Sequence, residues 1–277
     1  MDPAEEPILI EARGKSCRHS QGGHSFHQVI HDIHQINHDI HQINMNRLKS
    51  LDVMRGLTVA LMILVNNGGE HNYSFLEHSK WNGLTPCDLV FPFFLFMMGM
   101  STFLSLKKTE FKPSAAIYRK IAKRTVLLFL TGLGINWFDM ICNGGGLDFA
   151  HLRIWAVLQR IALCYGVVAM LAITLNHRYF IHTIIGLIVI YMGILVFGNG
   201  YAYDASINIL AQVDRSIFGI DHLYHRSPVD PEGLLSTIPA IAHTMIGFLC
   251  CKYISIAGQT VESKIKVLKV AGLVMVA

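Results

Sequence analysis

The side chains best suited to chemistry gather in one polar stretch, residues 66–88, which reads NNGGEHNYSFLEHSKWNGLTPCD between two apolar runs. Histidine titrates near neutral pH, so His78 can serve as general base or nucleophile; a solvated loop histidine is the plainer reading. Asn66, beside Gly68 and Gly69, offers an amide that could orient a substrate or steady an oxyanion, or simply cap a helix. Asp88 opens the second apolar run and suits either a helix cap or a substrate amine. Further polar groups stand within or beside other apolar runs. Gln159 and Arg160 lie inside one, where a charge must face protein or water rather than lipid. Arg160 has two candidate partners, Asp52 and a substrate anion. Asp52 and Arg55 are one helical turn apart in the first run and can pair on one face. Asp230 and Glu232, in the sequence Asp-Pro-Glu-Gly, could bind an amine or a hydroxyl-bearing sugar, or start the next helix. No P-loop, GxGxxG, GxSxG or HExxH motif is present, so the common soluble-enzyme chemistries do not account for the chain.

The elements that must hold these groups are helices of membrane length. Of 277 residues, 52% are hydrophobic and 15% charged, against about a quarter charged in a soluble protein. The mean hydropathy is +0.41. The runs at 90–106 and 180–197 are nearly free of charge on every helical face, and a crossing needs about 20 mostly apolar residues. The predicted fold is all-α, a polytopic transmembrane helix bundle. Its six full spans are 51–67, 87–106, 121–137, 154–175, 180–197 and 234–251, and a partial seventh starts near Val267. That run stops at Ala277, about half a crossing in, which predicts that the chain is part of a longer protein.

Lysine and arginine cluster in the loops on the side of the amino-terminal tail, notably Lys107, Lys108, Lys112, Arg119, Lys120, Lys123 and Arg124. The opposite loops hold only Lys80, Arg153, Arg215 and Arg226. The positive-inside rule therefore predicts a cytosolic amino terminus, with residues 66–88 and 198–233 facing the lumen or exterior. Trp81, Trp137 and Trp155 all fall at the predicted lumenal ends of spans, as an aromatic belt would.

Residues 1–46 form a separate His-rich, low-complexity tail, predicted cytosolic, before a membrane domain at 47–277. The tail has no apolar core segment and does not read as a signal peptide. It repeats HDIHQIN at 31–37 and 38–44. Histidines so spaced could hold Zn²⁺ or Ni²⁺, but no carboxylate or cysteine is placed to close the site, so no metal is expected. The six cysteines, Cys17, Cys87, Cys142, Cys164, Cys250 and Cys251, show no metal spacing. Cys87 and Cys142 share a predicted side, which leaves a disulfide open, and Cys250-Cys251 suits acylation or helix packing. A net charge of +4 without an aromatic-interleaved basic stretch argues against nucleic acid.

Four blocks in order carry a resemblance: RLKSLDVMRGLTVALMILVNNGG from Arg47, WNGLTPCDLVFPFFLFMMGMS from Trp81, RIWAVLQRIALCYG from Arg153 and DPEGLLSTIPAI from Asp230. Together they resemble the membrane domain of heparan-alpha-glucosaminide N-acetyltransferases. Members have about eleven spans, so the likeness covers little more than a first half. The resemblance implies acetyl transfer from cytosolic acetyl-CoA to the amine of a glucosamine on the lumenal side. It places the active histidine, in the loop before the Trp-Asn-Gly turn, at His78 and a functional asparagine at Asn66; His71 is a second histidine in that loop. Asp52, Arg55, Gln159 and Arg160 become candidates to line a polar shaft, with Asp88, Asp230 and Glu232 as substrate-binding candidates. The partners implied are the lipid bilayer, acetyl-CoA and an amino-sugar acceptor, with a homodimer as candidate assembly and a lysosomal, vacuolar or other endomembrane setting. Two other classes stand beside it. One is a transporter, which intramembrane charge would suit but for which no inverted repeat is visible. The other is a non-catalytic, truncated membrane protein.

Overall fold

A computed structural model describes residues 49–66, 83, 85–144, 149–202, 207–224, 230–255, 262–263, 265–266 and 269. The chain divides between Lys49 and Ser50, and the helix bundle belongs to the second unit. Among the described residues the regular structure is helical. The helices are α1 (Lys49–Asn66), α2 (Val90–Lys107), α3 (Ala115–Cys142), α4 (Val157–Thr174), α5 (Phe180–Phe197), α6 (Ile209–Phe218) and α7 (Thr237–Ile254). A 3₁₀ turn, Pro86–Leu89, leads into α2 and lets Pro92 sit in that helix's first turn, where its missing N–H costs nothing.

Among the described residues, five helical segments are long and apolar enough to cross a membrane: Pro86–Lys107, Ala115–Cys142, Val157–Thr174, His177–Phe197 and Thr237–Ile254. The expected six-plus-one count is therefore met for five. α1 has the length, but Lys49, Asp52 and Arg55 fall within its 18 residues. The expected seventh run, 267–277, falls outside the described residues apart from Lys269. Local signals set several boundaries. Ser114 caps α3 by accepting the Ile117 N–H at 3.3 Å, and the helix then runs 28 residues to Cys142, well beyond the predicted 121–137. Asn208 caps α6, a helix inside the predicted loop 198–233, by accepting the Leu210 N–H at 2.9 Å.

Close helix approach is made through small residues, as expected where lipid removes the hydrophobic drive between helices. A Cβ on Gly99 of α2 would run into the backbone of α7 at Thr244, and one on Gly247 of α7 would run into the backbone of α2 at Phe96. Gly132 of α3 meets Leu158 and Gln159 of α4, and Gly166 of α4 meets Thr125 of α3. Between α2, α5 and α7 the Phe248 ring stands edge-on to Phe103 at 5.1 Å and lies 5.0 Å from Phe180. Outward faces stay apolar: Val53, Leu57 and Ile63 on α1, Leu127 and Leu130 on α3, and Ile185, Val189 and Val196 on α5 are exposed. A bilayer covers such faces at no cost, whereas in water they would drive aggregation. An apolar cavity of about 350 Å³ lies between α1, α2 and α7, lined among others by Leu51, Met54, Phe96, Met97 and His243.

Cys87 and Cys142 are both free thiols, so the disulfide left open by the sequence is not formed. Cys251 is buried and Cys250 half-buried on α7, a packing role for the pair.

Candidate functional site

Residues 152–156 run without regular structure, and α4 starts only at Val157, with Ala156 extended at φ −151° and ψ −174°. Gln159 and Arg160, expected inside the span, therefore sit in its first turn. Both are buried, at 0% and 7% exposed. Arg160 Nη2 donates to the Gly233 carbonyl at 3.1 Å and to the Ser236 hydroxyl, and the guanidinium lies 5.5 Å from the Phe91 ring centre. Asp52, its expected protein partner, is not what it bonds. Among the described residues, Arg160 Nε and both amide atoms of Gln159 are buried without a hydrogen-bond partner.

The groups that hold Arg160 belong to the turn before α7, and Arg153 grips that turn. Arg153 Nη2 donates to Asp230 Oδ1 at 2.6 Å, its Nε reaches Asp230 Oδ2 at 3.3 Å, and Nη2 also pairs with Glu232. Its guanidinium lies 4.6 Å from the centre of the Tyr224 ring. Its carbonyl accepts from Asn136 Nδ2 on α3 at 3.0 Å. Asp230 in turn accepts the backbone N–H of Tyr224 at 3.1 Å and of Glu232 at 3.0 Å. Trp155 donates its indole N–H to the Glu232 carbonyl at 2.9 Å. On the far side Asp214 of α6 accepts the Leu234 N–H at 2.8 Å, and a side chain on Gly233 would press on the Asp214 carboxylate. α7 starts at Thr237, so neither Asp230 nor Glu232 lies in its first turn.

Burial is the largest single influence on each of the three groups here. Alone it would lower the Arg153 guanidinium, but the bond to Asp230 and the charges of Glu232 and Asp230 outweigh it and hold that group above its ordinary value. Burial pushes the Glu232 carboxyl upward, with Arg153 pulling the other way. Burial likewise raises Asp214, opposed by the Leu234 amide. Charges removed from water persist only with partners, which is why these acids and this arginine occur together.

Gln159, Arg160, Asp230 and Glu232 are thus brought to one end of the bundle. The other expected site residues stand on other elements or outside the described residues. Asp88 is half-buried in the Pro86–Leu89 turn, where its carboxylate accepts from the Thr85 N–H at 3.0 Å and the Thr85 hydroxyl at 2.9 Å. These bonds are those of a helix entry. Asn66 is the last residue of α1 and is exposed; Asp52 is half-buried and Arg55 exposed on the same helix. His78 and His71 lie outside the described residues. Among the described residues no group of three or more His, Cys, Asp or Glu side chains could hold a metal ion, and the HDIHQIN repeat also lies outside them.

Sequence reasoning missed Arg153 and Asp214 as site residues and misread Trp155. Arg153 was expected only as a loop cation, and Trp155 as part of a lipid-facing belt; instead Trp155 is buried, stacks 5.9 Å from Phe218 and bonds to Glu232. Their partners stand 77 positions away, beyond any local pattern. A usable signal was the pairing of Arg153 beside one span with two acids beside another on the same predicted side.

Apolar helices joined through glycines, with charged and amide side chains buried at one end, define an integral membrane protein with a polar site at the mouth of its bundle. The model of the family described as heparan-alpha-glucosaminide N-acetyltransferase, catalytic, matches residues 47–262. The chain belongs to that family. It is 33% identical over 256 residues to the heparan-alpha-glucosaminide N-acetyltransferase of Mus musculus and 31% identical over 255 residues to that of Homo sapiens. Each comparison covers 73% of this chain, but only 38% of the mouse and 37% of the human protein.

Proposed function

We propose that the chain supplies the amino-terminal part of a membrane acetyltransferase. The enzyme moves acetyl from cytosolic acetyl-CoA to the amine of an amino sugar on the lumenal or exterior face, in a lysosomal, vacuolar or other endomembrane. The observation that carries this reading is the family match across residues 47–262, a range that includes Asn66, His78, Arg160 and the acids at 230 and 232. In the reaction the acceptor amine attacks the thioester carbonyl, the C–S bond breaks, an amide C–N bond forms, and coenzyme A leaves as its thiol. His78 takes the proton released by the amine; in the two-step form of the reaction its imidazole first attacks the thioester, coenzyme A leaves as its thiol, and the amine then attacks the acetyl-imidazole and frees His78. Asn66 steadies the oxyanion of the tetrahedral intermediate. Asp52, Arg55, Gln159 and Arg160 line the path between the two faces, and Asp88 and Glu232 contact the acceptor. The basic segment after α2 draws in the donor's phosphates from the cytosol.

The test is transfer of radiolabelled acetyl from acetyl-CoA to glucosamine by sealed membranes containing the chain, with donor and acceptor offered on opposite sides. Labelled N-acetylglucosamine made by the wild type and not by His78→Ala supports the reading. Uptake of unmodified sugar would replace it with transport. Neither product, with the chain inserted in the membrane, would count against catalysis by this chain.

A further inference from the structure

Arg160 is held by two groups, the Gly233 carbonyl and the Ser236 hydroxyl, and both belong to one short connection ahead of α7. The position of that connection is set from Arg153, which approaches from the extended residues before α4 and bonds both Asp230 and Glu232. Asp230 then ties the backbone at Tyr224 and Glu232, and the Gly233 N–H donates to the Asp230 carbonyl at 3.1 Å. Trp155 adds a second tie from the same strand of chain to the Glu232 carbonyl. Arg153, Asp230, Glu232, Gly233, Ser236 and Arg160 thus form one continuous series of contacts that begins and ends in the same short stretch of sequence.

We infer that Arg153 is a positioning residue, which sets the aim of the Arg160 guanidinium by fixing the Asp230–Gly233 turn. The inference rests on the reading of Arg160 as a group that lines the substrate path. A lysine cannot replace Arg153. Its single ammonium lacks the planar fork that reaches Asp230 through two nitrogens and Glu232 through one of them. The turn has little slack: a Cβ at Gly233 would meet the Asp214 carboxylate, and Leu234 is bonded to that same group. Small displacements at Arg153 therefore pass to Gly233 and Ser236 rather than being absorbed between them.

The experiment compares Arg153→Gln, Arg153→Lys, Arg160→Gln and Arg153→Gln/Arg160→Gln in the full chain. Membrane-embedded protein is read two ways. The first is the rate of modification of Arg160 by an arginine-selective glyoxal reagent, followed by peptide mapping, and it needs no enzymatic activity. Both Arg153 variants are expected to raise that rate severalfold, since the wild-type guanidinium is buried and held by Gly233 and Ser236 and a displaced turn uncovers it. The second is acetyl transfer, with kcat and KM measured separately. Arg153→Gln is expected to lower kcat/KM about tenfold or more, Arg153→Lys to restore little of it, and the double variant to match Arg160→Gln alone. An unchanged modification rate overturns the inference. So does a further loss in the double variant equal to the loss Arg153→Gln causes by itself. If the wild type transfers no acetyl group, the functional reading fails while the modification rates still decide the positioning role. If Arg153→Gln does not insert, Arg153→Lys is judged by the same two readouts.

Discussion

Arg153 and Asp230, 77 positions apart in the chain, are joined by two hydrogen bonds, Nη2 to Oδ1 at 2.6 Å and Nε to Oδ2 at 3.3 Å. The Asp230 side chain is 1% exposed and that of Arg153 19%. The pair ties the extended residues before α4 to the turn before α7, and with it the two ends from which Arg160 is built and held.

Removing one member of a buried pair strands the other charge. Asp230→Ala is expected to cost about 3–5 kcal/mol, the range for breaking a buried ion pair from one side. Thermal unfolding of the detergent-solubilised chain reads this as a clearly lower midpoint. Asp230→Asn, which keeps an acceptor oxygen for the backbone N–H groups, is expected to lose less. Equal losses would show that the carboxylate charge is not what matters.

The α2–α7 crossing should be equally sensitive to added volume. Gly99→Val and Gly247→Val each force a side chain into the facing backbone. Each is expected to destabilise by about 1–3 kcal/mol, and the double variant by less than the sum, because one separation of the helices relieves both. Gly186→Ala on α5, where the added Cβ meets no side chain and no other helix within 4 Å, is the control and should be near neutral.

Asp214 predicts a pH dependence with a definite sign. Its folded-state carboxyl is raised above the ordinary value of 3.8 by burial. Between the unfolded and folded values the folded chain holds more protons, so this group's contribution to stability falls as pH rises through that window and returns on acidification. Asp214→Asn keeps an acceptor for the Leu234 N–H and removes the titration. Its unfolding midpoint should match or exceed the wild type at pH 7, with the advantage shrinking toward pH 4. A wild-type midpoint above that of Asp214→Asn at neutral pH would reverse the assignment.

For the reaction itself, His78→Ala is expected to lower acetyl transfer by about 10²–10⁴-fold, the scale of a general base or nucleophile, while His71→Ala stays within a few-fold of wild type. Loss on His71→Ala alone would move the role to that residue. The same preparation tests sidedness: a membrane-impermeant amine reagent applied to sealed vesicles should reach Lys80 and Lys108 from opposite sides. Joint labelling from one side would undo a transfer that runs between compartments.

Apolarity is a local property, and that is why the helices were legible. The span at 180–197 has the boundaries of α5, because a run without charges ends where Tyr179 and Gly198 end it. The boundaries of α4 and α7 were less legible. Residues 154–156 and 234–236 are as apolar or small as the first turns of those helices, yet they stay outside them as part of a connection closed by Trp155, Asp214 and Arg153. α6 hid in a polar loop because ten residues are too few for periodicity to stand out against their neighbours.

The sequence by itself determined the membrane class, most of the helices, the family and the kinds of side chain available for chemistry, since each of these depends on composition or on order along the chain. Only the tertiary structure decided that Gln159 and Arg160 stand at the mouth of α4 rather than deep within it. It alone decided that Arg160 bonds a carbonyl and a hydroxyl rather than Asp52, and that Arg153 sets the turn which holds it. The physical reason is that a buried charge takes whichever partner the packing of distant segments brings within bonding distance, and that choice is made by the closed bundle as a whole.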